Sequence, residues 1–203
     1  MAGCAGPGEI YQFSIAAAAV KRPDYVRPLR PIDTSRATVP VAVLQHEPTI
    51  DNSLFTWVAL PDELRSLCSG RPDPLLALQQ ALGLPPERRN DMHVLVFDAR
   101  PADMFRPCAS SPDITTGQCS VDLAAAKPAT SEAEHFVLQH MMASYRSGFP
   151  GPGYPFTAMG WTYDWDPNSP THQGVSEYVV RPGAMISNVI SREPAAFCQA
   201  HAG

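Results

Sequence analysis

Three groups of residues in the second half of the chain have types and spacings that could carry chemistry. Glu177 stands inside GVSEYVV, residues 174–180, an alternating run that sets one carboxylate among apolar neighbours. A carboxylate held on a strand can stabilise a developing cation or take up a proton. Ahead of it Trp161, Tyr163 and Trp165 recur at every second position, and on a regular strand all three project from one face. Exposed, such a ladder would stack sugar rings or bases; buried, it is core. Asp164 and Asp166 make a D-x-D that could share a hard cation with a nucleotide diphosphate. Asp166-Pro167-Asn168 is equally a turn starter. No Cys/His spacing resembles a zinc site, and no metal ligand is assigned.

These residues need elements to hold them. Alternation on both sides of a turn-rich loop predicts a hairpin over 157–181. Thr38–Leu44, Leu54–Leu60, Met92–Phe97 and Met185–Ile190 read as further strands, Pro40 demoting the first to an edge or a strand start. Pro61–Cys68 and Pro74–Leu82 read as helices, each opened by a proline, the second stopped by Gly83. Ser131-x-x-Glu134 has the form of a capping box and predicts a helix start at Ser131. Along that helix Phe136, Val137, His140, Met141 and Ser144 share one stripe, which puts His140 on the buried side. Ile10–Val20 leans toward helix, Lys21–Arg36 toward an extended surface arm rich in X-Pro steps.

The expected architecture is α+β: one compact domain with a mostly antiparallel sheet and about three short helices. Residues 1–37 form a loose or extended arm, 38–191 the domain, 192–203 a tail without pattern. At 203 residues one core suffices. A net charge of −5 argues against a nucleic-acid surface, which needs clustered Lys and Arg. No apolar run is long enough to cross a membrane, and IYQFSIAAAAV lacks the basic residues that precede the core of a standard signal peptide. A soluble protein is expected, cytoplasmic or an exported effector. Of five cysteines, Cys108 and Cys119 bracket a short polar loop and could close it in an oxidising compartment. P-loop, Rossmann, nucleophile-elbow and zincin signatures are absent.

FDARPADMF, residues 97–105, resembles the Asp-x-Arg-Pro turn that follows the first strand of bacterial mono-ADP-ribosyltransferase toxins. SEYVVRPGAMISNV, residues 176–189, is similar to their late segment, a strand glutamate followed by aliphatics, a turn and another strand. The resemblance implies NAD as substrate and Glu177 as the carboxylate beside the ribose. It implies Arg100 as a phosphate ligand through its guanidinium fork, with Asp98 bracing the turn. Trp161 and Tyr163 would lie along the cofactor. In this register the family's NAD-contacting arginine falls at Val96. Partners would be a small molecule or a protein substrate. The competing expectation is a carbohydrate- or partner-binding module using the aromatic hairpin 157–181.

Overall fold

The computed structural model describes residues 5–20, 23–86, 91–120, 129–145 and 153–199. Seven strands form one sheet: β1 (Val39–Gln45), β2 (Thr56–Ala59), β3 (His93–Ala99), β4 (Met104–Phe105), β5 (Trp161–Tyr163), β6 (Gln173–Val180) and β7 (Ile186–Arg192). The order is β4-β6-β2-β1-β3-β7, β5 pairing β6 beside β4, and every ladder is antiparallel. The architecture is α+β, as expected. β1 is central rather than an edge, and Pro40 is tolerated as its second residue, with an exposed side chain.

The helices are α1 (Pro7–Ala19), α2 (Pro61–Cys68), α3 (Pro74–Ala81), α4 (Glu132–Tyr145) and α5 (Pro194–Gln199). α3 is capped by Asp73, whose side chain accepts from the Leu76 amide at 3.0 Å. It is ended by Gly83 at φ +65°, a conformation a Cβ disfavours. The capping box of α4 forms as its sequence predicts: Ser131 N–H donates to Glu134 Oε2 at 2.9 Å and Glu134 N–H to Ser131 Oγ at 3.3 Å. Bonds from the backbone of Thr130 and Ser131 hold the Glu134 carboxyl down to a pKa of about 2.

Direct partners on adjacent strands share a face, and period two divides the core. Ala42, Leu44, Ala59, Val94 and Val175 pack with Leu64, Leu78 and Phe197 from α2, α3 and α5. Val41, Val58, Phe97, Tyr178 and Val180 pack with Ile32 and Ile114 from flanking loops. Each fully buried Leu or Phe is worth roughly 1.5–3 kcal/mol.

The described parts of the arm and of the tail are better held than their sequences indicate. Tyr11 and Ala18 of α1, with Tyr25 and Leu29 of the arm, pack on the aromatics of 161–165. The arm is fastened by Leu29 N–H to Gly117 O at 2.8 Å and Ile32 N–H to Ile114 O at 2.9 Å. At the other end Phe197 is fully buried and Cys198 is bonded to Cys68. Cys108 and Cys119 are bonded as well.

Candidate functional site

A cavity of ≈ 780 Å³ opens on the face of the sheet that carries Glu177. Its floor comes from β1, β2 and β6. The segment 82–84 after α3 forms one wall, and His140 and Ser144 of α4 with Phe156 form another. Register explains the floor: Glu177 pairs with Ala59, Ala59 with Ala42 and Ala42 with Val96. These four side chains form one row across the sheet, and the alanines leave space beside the carboxyl.

Glu177 occupies a special point of β6. The outer edge of β6 is paired to β5 up to Ser176 and to β4 from Val179, and between them Glu177 N–H donates to Gly160 O at 2.9 Å. The side chain keeps some accessible surface through the cavity, and no described group donates a hydrogen bond to the carboxyl. Protein packed around it withdraws it from bulk water and pushes its pKa up to about 8, against the weaker pull of the Arg106 guanidinium.

Aromatic rings enclose the space. Trp57 meets Phe136 at 5.2 Å, His140 at 5.2 Å and Phe156 at 5.6 Å between centroids. The Phe136 and His140 rings lie 4.0 Å apart. His140 Nδ1 is 2.8 Å from the Phe136 carbonyl; a carbonyl only accepts, so Nδ1 donates, and in the neutral ring Nε2 is the acceptor.

Of the residues singled out by sequence, Glu177, Trp161 and Tyr163 line this one cavity. Arg100 does not. It lines a separate depression of ≈ 420 Å³ together with Arg36 and Arg181. There its guanidinium is taken by Asp103, Nε at 2.7 Å and Nη2 at 3.0 Å. Asp98 accepts from Asn188 Nδ2 at 2.7 Å rather than bracing Arg100. The sheet is the reason: the turn after β3 leads into β4, which meets β6 at Val179 and Val180, beyond Glu177, so Arg100 lies at that end of β6 beside Arg181. Val96, in the row of Glu177, is three ladders away, roughly 14 Å at ~4.8 Å per strand.

The aromatic ladder is core. Trp161, Tyr163 and Trp165 are buried. Trp161 Nε1 donates to Tyr25 O at 3.1 Å and Trp165 Nε1 to Leu84 O at 2.9 Å. An exposed stacking platform on 161–165 is excluded. The D-x-D is a turn with an ion pair: Asp164 Oδ1 accepts the Asp166 amide at 2.9 Å, and Arg71 binds Asp166 at 2.5 Å. Burial pushes both carboxyls up; at Asp166 the bonds from Arg71 and Asn168 outweigh it and hold the group low. Among the described residues no group of three His, Cys, Asp or Glu is placed to hold a metal.

Sequence reasoning missed Trp57, Phe156 and Arg106. Trp57 sits in a strand of ordinary composition, and Phe156 precedes its strand, so neither carries a pattern. Arg106, fully buried, is one basic residue among the fifteen Lys and Arg of the chain until its environment is seen. Comparison with known proteins adds no relative: no family model, curated protein or solved structure matches this chain.

Proposed function

We propose that the chain cleaves the nicotinamide–ribose bond of NAD, by ADP-ribosyl transfer to a protein or by hydrolysis, with Glu177 as the essential carboxylate. One observation supports this above the others: a carboxyl with no protein donor among the described residues lies on the floor of an aromatic-walled cavity whose volume is that of small-molecule sites. The pyridinium ring of NAD is a flat cation. Ring faces such as those of Trp57 and Phe156 attract cations, and a positive ring beside Glu177 draws its proton off.

The bond between ribose C1′ and the ring nitrogen breaks, and its electron pair stays with nicotinamide, which leaves neutral. The ribose cation formed is stabilised by the ionised Glu177. Water or an acceptor side chain adds at C1′ through a lone pair, and the proton it sheds passes to Glu177. Arg100 and Asp98 take no part here, since both are engaged elsewhere.

The test is nicotinamide release from NAD, followed by chromatography, with tryptophan quenching as a separate measure of binding. Glu177→Gln keeps shape and removes the charge; release should fall about 10²–10³-fold while quenching persists. Parent protein that neither binds nor cleaves NAD, or a variant that cleaves at the parent rate, overturns the assignment.

A further inference from the structure

Arg106 is fully buried, and no carboxylate pairs with it among the described residues. Its Nη2 donates to the carbonyls of Arg30 at 2.7 Å, Ile114 at 3.3 Å and Thr116 at 3.3 Å, and Nη1 to that of Gly160 at 3.4 Å. Nε is buried without a partner. The guanidinium lies 4.7 Å from the centroid of the Tyr178 ring. Carbonyl dipoles and a ring face solvate a cation but do not cancel it, and a buried guanidinium stays charged. An aliphatic side chain would fill this volume without desolvating a charge, but it would take the donor away from these four carbonyls. Packing alone therefore does not explain an arginine here.

Two contacts tie Arg106 to the strand of Glu177. The Gly160 carbonyl that accepts from Arg106 also accepts the Glu177 amide, at 2.9 Å. Gly160 has φ +72°, and a Cβ there would lie 2.8 Å from Arg106 Cδ, so the peptide is shaped to the arginine's stem. Tyr178, against which the guanidinium stacks, is the residue after Glu177. Arg106 is also the one described charge acting on the Glu177 carboxyl. The other titratable side chains of the cavity are His46, Glu47, Asp51, His140, Tyr154 and Tyr163. On the arginine's own side stand Tyr178, the exposed Asp113 and Glu63, which accepts from Ser176 Oγ at 3.0 Å and whose charge acts on Tyr178, with the Arg30–Asp62 ion pair beyond it.

We propose that Arg106 is the positioning residue for Glu177, fixing its segment of β6 through Gly160 and Tyr178 and supplying the positive potential in which that carboxyl ionises. The role rests on Glu177 being the functional acid, but the coupling between the two is measurable without any substrate.

The experiment is an NMR titration of the full chain with both disulfides formed, with ¹³C-carboxyl glutamate and ¹⁵N-arginine, from pH 3 to 10. The Arg106 Nε and Nη signals should move with the same midpoint as the Glu177 carboxyl, and that response should vanish in Glu177→Gln. Arg106 signals that stay still through the Glu177 midpoint, wherever it falls, overturn the proposal. In Arg106→Gln, which keeps a donor and removes the charge, the Glu177 midpoint should rise by one pH unit or more, a tenfold or greater change in proton affinity. A folded variant with an unmoved midpoint overturns the proposal equally. Should Arg106→Gln fail to fold, the titration of the parent decides. NAD cleavage is assayed separately: coupling without nicotinamide release counts against the catalytic reading alone.

Discussion

Glu177 stands directly opposite Ala59 across the β2–β6 ladder, and Ala59 opposite Ala42 of β1. Two methyl groups give the carboxyl room and nothing to bond with. Its withdrawal from water is offset only by the pull of Arg106, and the pKa is pushed up to about 8.

Stability should consequently fall as pH rises. The folded pKa of about 8 lies above the ordinary glutamate value of 4.5, so between the two the folded state binds more protons than the unfolded one. The contribution is full below ~4.5 and is lost progressively up to ~8, by at most about 1.4 kcal/mol per pH unit. Glu177→Gln should lack this slope and exceed the parent by roughly 2–4 kcal/mol at pH 8.5. Urea denaturation at pH 5 and pH 8.5 checks it; equal slopes would contradict it.

Replacing Trp57 tests the aromatic wall. Trp57→Leu keeps an apolar side chain but removes the ring that packs on Phe136, His140 and Phe156. Loss of ~1–2 kcal/mol of cation–π attraction should raise KM for NAD about tenfold and leave kcat within about threefold. Unchanged KM would remove Trp57 from the site.

Gly174→Ala should be among the most damaging single substitutions. A Cβ there would collide with the Ala81 carbonyl and with Thr162 Oγ1. That hydroxyl links α3 to the hairpin, donating to Ala81 O at 2.5 Å and accepting from Val175 N at 2.9 Å. Rigid backbone on one side and a committed hydroxyl on the other leave no room to relax, so we predict a loss of about 3 kcal/mol or more. A change in the urea midpoint equivalent to under 1 kcal/mol would refute this.

The two disulfides should differ in worth. Cys68–Cys198 spans 130 residues and Cys108–Cys119 spans 11. The chain-entropy relation gives about 5 and about 3 kcal/mol respectively. Paired Cys→Ala variants, compared by thermal unfolding, should show the larger drop for the long loop; the reverse order would mean that local strain or denatured-state structure dominates.

Much of the frame was legible because local rules act alone there. The capping box at Ser131, the stop at Gly83 and the alternation of 173–180 each depend on neighbours in sequence. The candidate site was legible only in part. Glu177, Trp161 and Tyr163 do share a cavity, but Arg100, joined to Glu177 by motif resemblance, is held by Asp103 three residues on. Trp57 and Phe156 reach the cavity through strand register and a loop, neither of which leaves a periodic trace. Arg106 is shaped by carbonyls from two distant segments and from the loop that follows it, a relationship that exists only after folding. That α1 and α5 are fastened to the body was not legible for the same reason: α1 is held by the aromatic hairpin, α5 by a bond to Cys68.

The bond between Cys68 and Cys198 closes most of the chain into a covalent ring. A protease that nicks any one peptide between them yields two fragments that cannot separate. The cavity, whose lining lies on both sides of Cys68, would survive a single cut as an assembled unit until a reductant releases the pieces.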